Sequence, residues 1–319
     1  MILIYSNSQD FTVDYFILYL EARHIPFLRI NTDQYPSSFD ISFGVRKCEI
    51  HGSITGQAGV VPLSEVTSVW YRKPVFKRTI FDNPEMNSYV EIEVEAALEG
   101  VLRCLPANFV SHPKAIYHAE YKLVQLQEAL RCGFQVPDTL LTSDYSQGKE
   151  FLDTYVRSIT KPLRRGRLIK DSTVTLFYTT ELSQNQLERH QDSLKVTPAY
   201  IQKRIDKQYD LRVTVFGHTV FCVAIHSQEQ EDTKLDWRRK QEDLKETVFD
   251  LPQHIVDKCI NLVKSLDLQY GAIDLILDTE GNYYFLEINP TGQWAWMEQE
   301  LDLPMREALY RTLEGSYAK

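Results

Sequence analysis

Two apolar runs near the C-terminal end each hold an acid where a strand would ordinarily be hydrophobic. They are Gly271-Ala272-Ile273-Asp274-Leu275 and Tyr284-Phe285-Leu286-Glu287-Ile288-Asn289-Pro290. Asp-Thr-Glu-Gly-Asn at 278–282 separates them and reads as a turn, so the pair is expected to form a β-hairpin or adjacent strands. Glu287 and Asn289 are two apart and in a strand share one face. With Asp274 they make three hard oxygen donors converging on a sheet face, which suits Mg²⁺. Mg²⁺ bound by one or two carboxylates commonly takes phosphate oxygens as further ligands, so the pattern points to a nucleoside triphosphate site. The plain alternative is an amphipathic hairpin whose acids face water. Against it stands their place inside the apolar runs, where a carboxylate needs a cation or donors.

Phosphate chemistry also needs cations. Lys161 sits at a strand end before Pro162, where extended chain can project an ammonium into a cleft, and Lys122 lies on the preceding helix. Arg212 alternates with Leu211 and Val213 beside Asp210 in a strand-like run, a setting in which an arginine needs partners. Arg238 falls in a charged loop running from Ser227 to Lys240, and Arg164-Arg165-Gly166-Arg167 with Lys170 forms a basic cluster. Each has a bland reading as a solvated side chain.

The chain has 319 residues, enough for two or three domains, and its net charge of −9 argues against a nucleic-acid partner held through phosphates. The five cysteines show no CxxC and no paired histidine spacing, so neither zinc nor a disulfide framework is expected. The N-terminus lacks a basic region before its short apolar run, and no stretch is long enough to span a bilayer. A cytoplasmic protein with no membrane partner is the expectation.

The elements that must position these groups follow from periodicity. Residues 2–6, a helix capped by Asp10 with Phe11, Tyr15, Ile17 and Leu18 on its apolar face, and a strand over Phe27–Asn31 open a parallel α/β unit. Strands at Asp40–Arg46, Cys48–Ile54 and Val66–Tyr71 and a helix over Tyr89–Leu105 complete an N-terminal α/β domain, residues 1–112. A helix from Pro113 through Leu130 that carries Lys122 opens a small central α+β unit, residues 113–197. It continues with a strand at Val136–Leu141, a helix at Tyr145–Val156, a strand ending at Pro162, a strand at Val174–Tyr178 and a helix at Leu182–Arg189. Residues 198–319 read as a C-terminal antiparallel-sheet domain, with strands at Ala199–Ile205, Tyr209–Phe216 and Thr219–Ala224, a helix at Pro252–Leu266, the two acid-bearing strands, and a terminal helix from about Met297.

The order of these signals resembles the ATP-grasp superfamily. It runs Tyr121-Lys122-Leu123, Pro137-Asp138-Thr139, Thr160-Lys161-Pro162, Ile201-Gln202-Lys203-Arg204-Ile205, Asp210-Leu211-Arg212, Gly271–Asp274 and Leu286–Pro290. More closely, Val69-Trp70-Tyr71-Arg72-Lys73-Pro74, Asp236-Trp237-Arg238 and Asn289-Pro290-Thr291-Gly292-Gln293-Trp294 resemble the microviridin-type or graspetide synthetases, including the grasp-with-spasm group. The resemblance implies an ATP-grasp fold using ATP and Mg²⁺. Lys122 and Lys161 would contact nucleotide phosphates. Gln202, Lys203 and Ile205 belong to a hinge strand that meets adenine through backbone hydrogen bonds, and Asp210 would lie near the ribose. Asp274, Glu287 and Asn289 would be the metal ligands, Arg238 would lie near the transferred phosphate, and Arg212 beside the acceptor carboxylate.

The implied reaction activates Asp or Glu side chains of a ribosomal precursor peptide, bound as leader and core, as acyl-phosphates. Thr or Ser hydroxyls, or Lys amines, then close ω-ester or ω-amide rings. A homodimer is also implied. Two departures stand out. The segment after Lys161 has one glycine where many ATP-grasp enzymes have a glycine-rich lid, and Lys203 replaces a common Glu. Two rival readings share the site residues: a ligase joining separate molecules through a C–N bond, and a non-catalytic nucleotide-binding scaffold. Retention of all three metal ligands and both lysines argues against the scaffold.

Overall fold

The computed structural model describes residues 1–56, 59–77, 79–164, 166–170 and 173–315. Elements are numbered in chain order. The first segment holds β1 (Ile2–Ser6), α1 (Phe11–Ala22), β2 (Phe27–Asn31), β3 (Phe39–Arg46), β4 (Glu49–Gly56), β5 (Gly59–Pro62), β6 (Ser68–Tyr71), α2 (Pro84–Arg103) and β7 (Asn108–Val110). Its parallel sheet has the order β2-β1-β6-β7, and β3-β4-β5 is a separate antiparallel meander. The fully buried runs of β1 and β6 are what a parallel sheet covered on both faces requires.

Two details of this segment differ from expectation. Helix α1 buries Val13, Phe16, Tyr19 and Leu20, whereas Phe11 and Leu18 are 56% and 59% exposed. Both sets fit a helical period, and the sheet decides which faces inward. Asp10 stands at the N-cap position without a side-chain cap bond; its carboxylate instead accepts from Ser6 Oγ at 2.9 Å and from Arg72. An ion partner outbids a backbone N–H for a buried carboxylate.

The middle segment holds α3 (Pro113–Ala119), α4 (Lys122–Arg131), β8 (Thr139–Thr142), α5 (Tyr145–Thr154), β9 (Ser158–Thr160), β10 (Arg167–Lys170), β11 (Thr173–Leu176), β12 (Thr180–Glu181), α6 (Gln184–Arg189) and β13 (Ala199–Lys203). The single helix expected from Pro113 to Leu130 is broken at Glu120-Tyr121, so Lys122 opens the second helix. Of the basic cluster, Arg167 and Lys170 lie on β10 of the hairpin β10–β11, with Arg167 opposite Leu176, and Arg164 precedes it. Arg165 lies outside the described residues. Strand β13, expected with the C-terminal strands, is hydrogen-bonded into the central sheet of order β12-β9-β13-β8. The chain leaves that sheet at Arg204–Asp206, the hinge to the next segment.

The last segment holds β14 (Lys207–Phe216), β15 (Thr219–Ile225), β16 (Glu246–Val248), α7 (Gln253–Ser265), β17 (Tyr270–Asp278), β18 (Tyr283–Asn289), α8 (Ala295–Leu301) and α9 (Met305–Glu314). The terminal helix is therefore two helices. Their sheet is antiparallel, in the order β16-β15-β14-β17-β18. Helix α7 buries Ile255, Cys259, Leu262 and Val263 in a core cluster that also takes in Leu3 of β1, Leu126 of α4 and Phe285 of β18, so the three segments share a core. No helix among the described residues is long and apolar enough to cross a membrane.

Candidate active site

The acid-bearing runs form the expected hairpin. Gly281, at φ +89°, supplies the left-handed residue of the turn. Asp274 lies directly opposite Glu287 and Ala272 opposite Asn289, with a bulge after Asp274 that leaves Leu286 without a cross-strand partner. Such bulges re-aim side chains beside functional sites. On its other flank Asp274 faces Arg212 of β14, whose Nη1 donates to Asp274 Oδ1 at 2.8 Å.

Three cations converge on Glu287. Lys122, the first residue of α4, donates to Glu287 Oε2. Arg238 Nη1 lies 3.5 Å from Glu287 Oε1. Lys161, just past β9, is the third charge acting on it. Burial opposes ionisation of Glu287, but the three cations hold its carboxyl far below the usual range. Burial pushes the Lys161 ammonium down to about 8, with Glu287 pulling the other way. Arg238 is itself held by Asp236, whose two oxygens accept from Nε at 2.8 Å and Nη2 at 2.9 Å. Asp236 is buried and also accepts from Thr179 N at 3.0 Å.

Lys122 is aimed by a residue that sequence reasoning passed over. Gln125, one turn further along α4, is buried; its Nε2 donates to Ile288 O at 2.9 Å and its Oε1 accepts from Ile288 N at 3.1 Å. This pair of hydrogen bonds fixes α4 on β18 and brings the lysine over Glu287. The available signal was phase: Gln125 is in register with the buried Leu126 and Ala129, a polar residue on an apolar face.

The loop after Asn289 is held equally firmly. Asn289 Oδ1 accepts from Thr291 N at 3.0 Å. Arg72 Nη1 donates to Thr291 O at 2.8 Å and to Gly292 O at 2.9 Å, Tyr270 OH donates to Gly292 O at 2.8 Å, and Arg212 Nη2 donates to Gln293 O at 3.3 Å. A Cβ at Gly292 would stand 2.5 Å from Ala272 Cβ and 3.0 Å from Arg212 Nη2, so only glycine fits.

Two clefts meet here. One, of about 820 Å³, runs between the central and C-terminal sheets and is lined by Lys203, Ile205, Asp210 and Asp274 among others. A larger chamber, of about 1670 Å³, is walled by the chain after β6, by α3 and α4, and by the end of β18 including Asn289. Lys161, Arg238 and Glu287 line both, so they form the partition. In the smaller cleft Gln202 is fully buried, with Nε2 donating to Thr139 Oγ1 at 2.8 Å and Oε1 left without a partner. Lys203 N and Arg204 N are taken by Asp138 O and Arg157 O, while Ile205 N–H has no partner among the described residues. Asp210 borders the cleft, but Lys207 and Ser227 occupy its oxygens, and burial pushes its carboxyl up. Arg212 lies behind Asp274 and borders neither cleft.

The donor set suits a hard divalent cation: two opposed carboxylates and an amide oxygen along one hairpin. In the structure the carboxylates are balanced by Arg212 and by the three cations around Glu287. Among the described residues no group of three or more His, Cys, Asp or Glu is arranged for a metal.

Residues 1–117 match the family model described as the MvdD pre-ATP grasp domain. No curated protein sequence matches the chain. Among solved structures, the RiPP-associated ATP-grasp ligase of Chryseobacterium gregarium, determined with ADP and a leader and core peptide, superposes with a TM-score of 0.91 at 26% identity over 100% of this chain and 97% of that one. The macrocyclase MdnC of Microcystis aeruginosa MRC, bound to its precursor peptide MdnA, gives 0.88 at 27% identity over 99% and 100%. A D-alanyl-alanine synthetase A from Vibrio cholerae gives 0.64 at 10% identity over 99% and 97%, a likeness of fold alone. Its hairpin of opposed acids, its pre-ATP-grasp segment and its end-to-end likeness to the first two ligases give the chain the ATP-grasp fold and make it similar to the microviridin-type graspetide synthetases.

Proposed function

We propose that the protein is an ATP-dependent peptide macrocyclase. It activates Asp or Glu side chains of a ribosomal precursor peptide as acyl-phosphates and closes ω-ester bonds with Thr or Ser, or ω-amides with Lys. The observation that carries this reading is the partition: Glu287, under Lys122, Lys161 and Arg238, faces both the cleft between the two sheets and the larger chamber.

In this reading ATP occupies the smaller cleft. The free Ile205 N–H and the adjoining hinge peptides of Gln202 and Lys203 meet adenine, and Asp210 lies toward the ribose. The γ-phosphoryl group reaches the partition, where Lys122, Lys161 and Arg238 offset its charge. Asp274, Glu287 and Asn289 would hold Mg²⁺, which supplies charge neutralisation between phosphate oxygens. The peptide carboxylate enters from the chamber and takes the phosphoryl group, giving acyl-phosphate and ADP. Arg212 adds positive potential from behind Asp274. A hydroxyl or amine of the same peptide then attacks the carbonyl, losing its proton as phosphate departs. The protein supplies positioning and electrostatics, with no covalent nucleophile of its own. A cytoplasmic homodimer completes the reading.

The test is mass. With Mg·ATP and a short Thr- and Glu- or Asp-containing peptide encoded beside it, the enzyme should remove one water, about 18 Da, per ring while ADP accumulates. Mild base should reopen an ester and leave an amide intact. A gain of mass from joining a second molecule would establish an intermolecular ligase instead.

A further inference from the structure

The chain leaving β6, Arg72-Lys73-Pro74, forms one wall of the larger chamber. Arg72 is fully committed. It is 2% exposed, donates to Asp10 through Nε at 3.2 Å and Nη2 at 3.3 Å, and gives Nη1 to the carbonyls of Thr291 and Gly292. Lys73, like Lys161 elsewhere in the chamber's lining, differs from Lys122 and Arg238, which hold ion pairs. It is partly buried, and its ammonium has no hydrogen-bond or ion-pair partner among the described residues. The charges acting on it are Arg72, Asp10, Arg212 and Arg167. The one acid of these four, Asp10, is already engaged by Arg72 and Ser6. Three of the four charges acting on Lys73 are cationic, and none of them pairs with its ammonium.

A half-buried ammonium without a counter-ion is costly, and the protein's own packing gives no reason for it. An anion in the chamber would remove the cost. Arg212 cannot meet that anion directly while Asp274 and Gln293 O occupy its Nη atoms.

We propose that Lys73 grips the side-chain carboxylate of the peptide in the larger chamber, and so selects an acidic residue for activation. This rests on the reading that a peptide carboxylate is phosphorylated at the partition. Bound there, the carboxylate becomes the missing counter-charge and is held near the face where Lys122, Lys161 and Arg238 meet the phosphoryl group. The selection excludes Gln and Asn of the same shape, which bring no charge. Burial, and then Arg72, push the free Lys73 ammonium down to about 8. Carboxylate affinity should therefore fall as pH rises through that value, since only the protonated form attracts it.

The test needs no precursor. Lysines of the full-length protein are ¹³C-dimethylated by reduction, and the Lys73 signal is identified by its absence in Lys73→Arg. N-acetyl-glutamate methylamide is then titrated against its neutral isostere, N-acetyl-glutamine methylamide, and against inorganic phosphate, in the presence of Mg·ADP. The Lys73 signal should titrate near 8, and its midpoint should move upward with the glutamate probe alone. No response to that probe, an equal response to the glutamine probe, or a stronger response to phosphate would overturn the proposal. As a second measurement, Lys73→Met should bind Mg·ADP normally by calorimetry while losing its preference for the glutamate probe; retained preference overturns the proposal. A carboxylate response without loss of water from any peptide would uphold Lys73 and remove the macrocyclase reading. Loss of water with no carboxylate response would do the reverse.

Discussion

Gln125 holds both backbone polar groups of Ile288, donating to its carbonyl and accepting from its N–H. One buried amide thereby couples helix α4, which begins at Lys122, to the strand that carries Glu287 and Asn289. The first prediction follows. Gln125→Ala leaves a buried N–H and C=O unpaired and should cost about 2–4 kcal/mol of stability. It should also lower ADP formation well beyond what the stability loss explains, because Lys122 loses its aim. Gln125→Glu restores only the acceptor and should fall between. Denaturation midpoints and ADP release measured on the same samples check both halves.

Removing the opposed acids should separate fold from chemistry. Asp274→Ala and Glu287→Ala are expected to remain folded, because cations rather than apolar neighbours surround both carboxylates, but to lose Mg·ATP turnover by at least ~10²-fold. Near-normal ADP production by either variant would remove that residue from the metal set. Asn289→Ala should be milder and partly recoverable with excess Mg²⁺, since an amide oxygen contributes no net charge.

Acid should uncover the worth of Glu287. Its folded pKa lies far below the ordinary glutamate value of 4.5 because Lys122, Lys161 and Arg238 outweigh burial. A depressed carboxylate contributes stability that is fully present above the unfolded pKa and is lost as pH falls toward the folded one. In metal-free buffer, the stability gap between the wild-type protein and Glu287→Gln should therefore be largest near neutrality and shrink below about pH 4.5. A gap that widened in acid would contradict the ion cluster.

Gly292 tests the loop behind Asn289. Gly292→Ala introduces a Cβ that meets Ala272 Cβ at 2.5 Å and Arg212 Nη2 at 3.0 Å, so the loop or Arg212 must move. Activity should fall at least ~10-fold, at a stability cost typical of overpacking, about 1–3 kcal/mol. Ala272→Gly in the same chain should recover part of both losses. Unchanged activity would mean that the loop is not what sets Asn289.

Lys161→Ala should weaken nucleotide binding much more than peptide binding, since its ammonium stands on the partition with Glu287. Calorimetry with Mg·ADP and with peptide separately checks this. Equal losses for both ligands would assign Lys161 to general packing.

What the chain determines by itself is local. Alternation and turn chemistry specify the β17–β18 hairpin, because a period of two puts Glu287 and Asn289 on one face whatever the rest of the protein does. The strand end before Pro162 and the order of the short motifs are likewise properties of sequence, and they reach the fold class and the smaller cleft. What only the tertiary structure decides is where two segments must agree. Either apolar stripe of α1 could have been buried, and the sheet selected Val13 and Phe16 over Phe11 and Leu18. Strand β13 could have paired with β14, yet its hydrogen bonds go to β8 and β9. Gln125, Asp236 and Arg72 look in sequence like ordinary polar residues, and each acquires its role from a partner many residues away. Lys73 is the extreme case. Its meaning lies in having no partner, and an unbalanced charge can be recognised only when every neighbouring charge has been located.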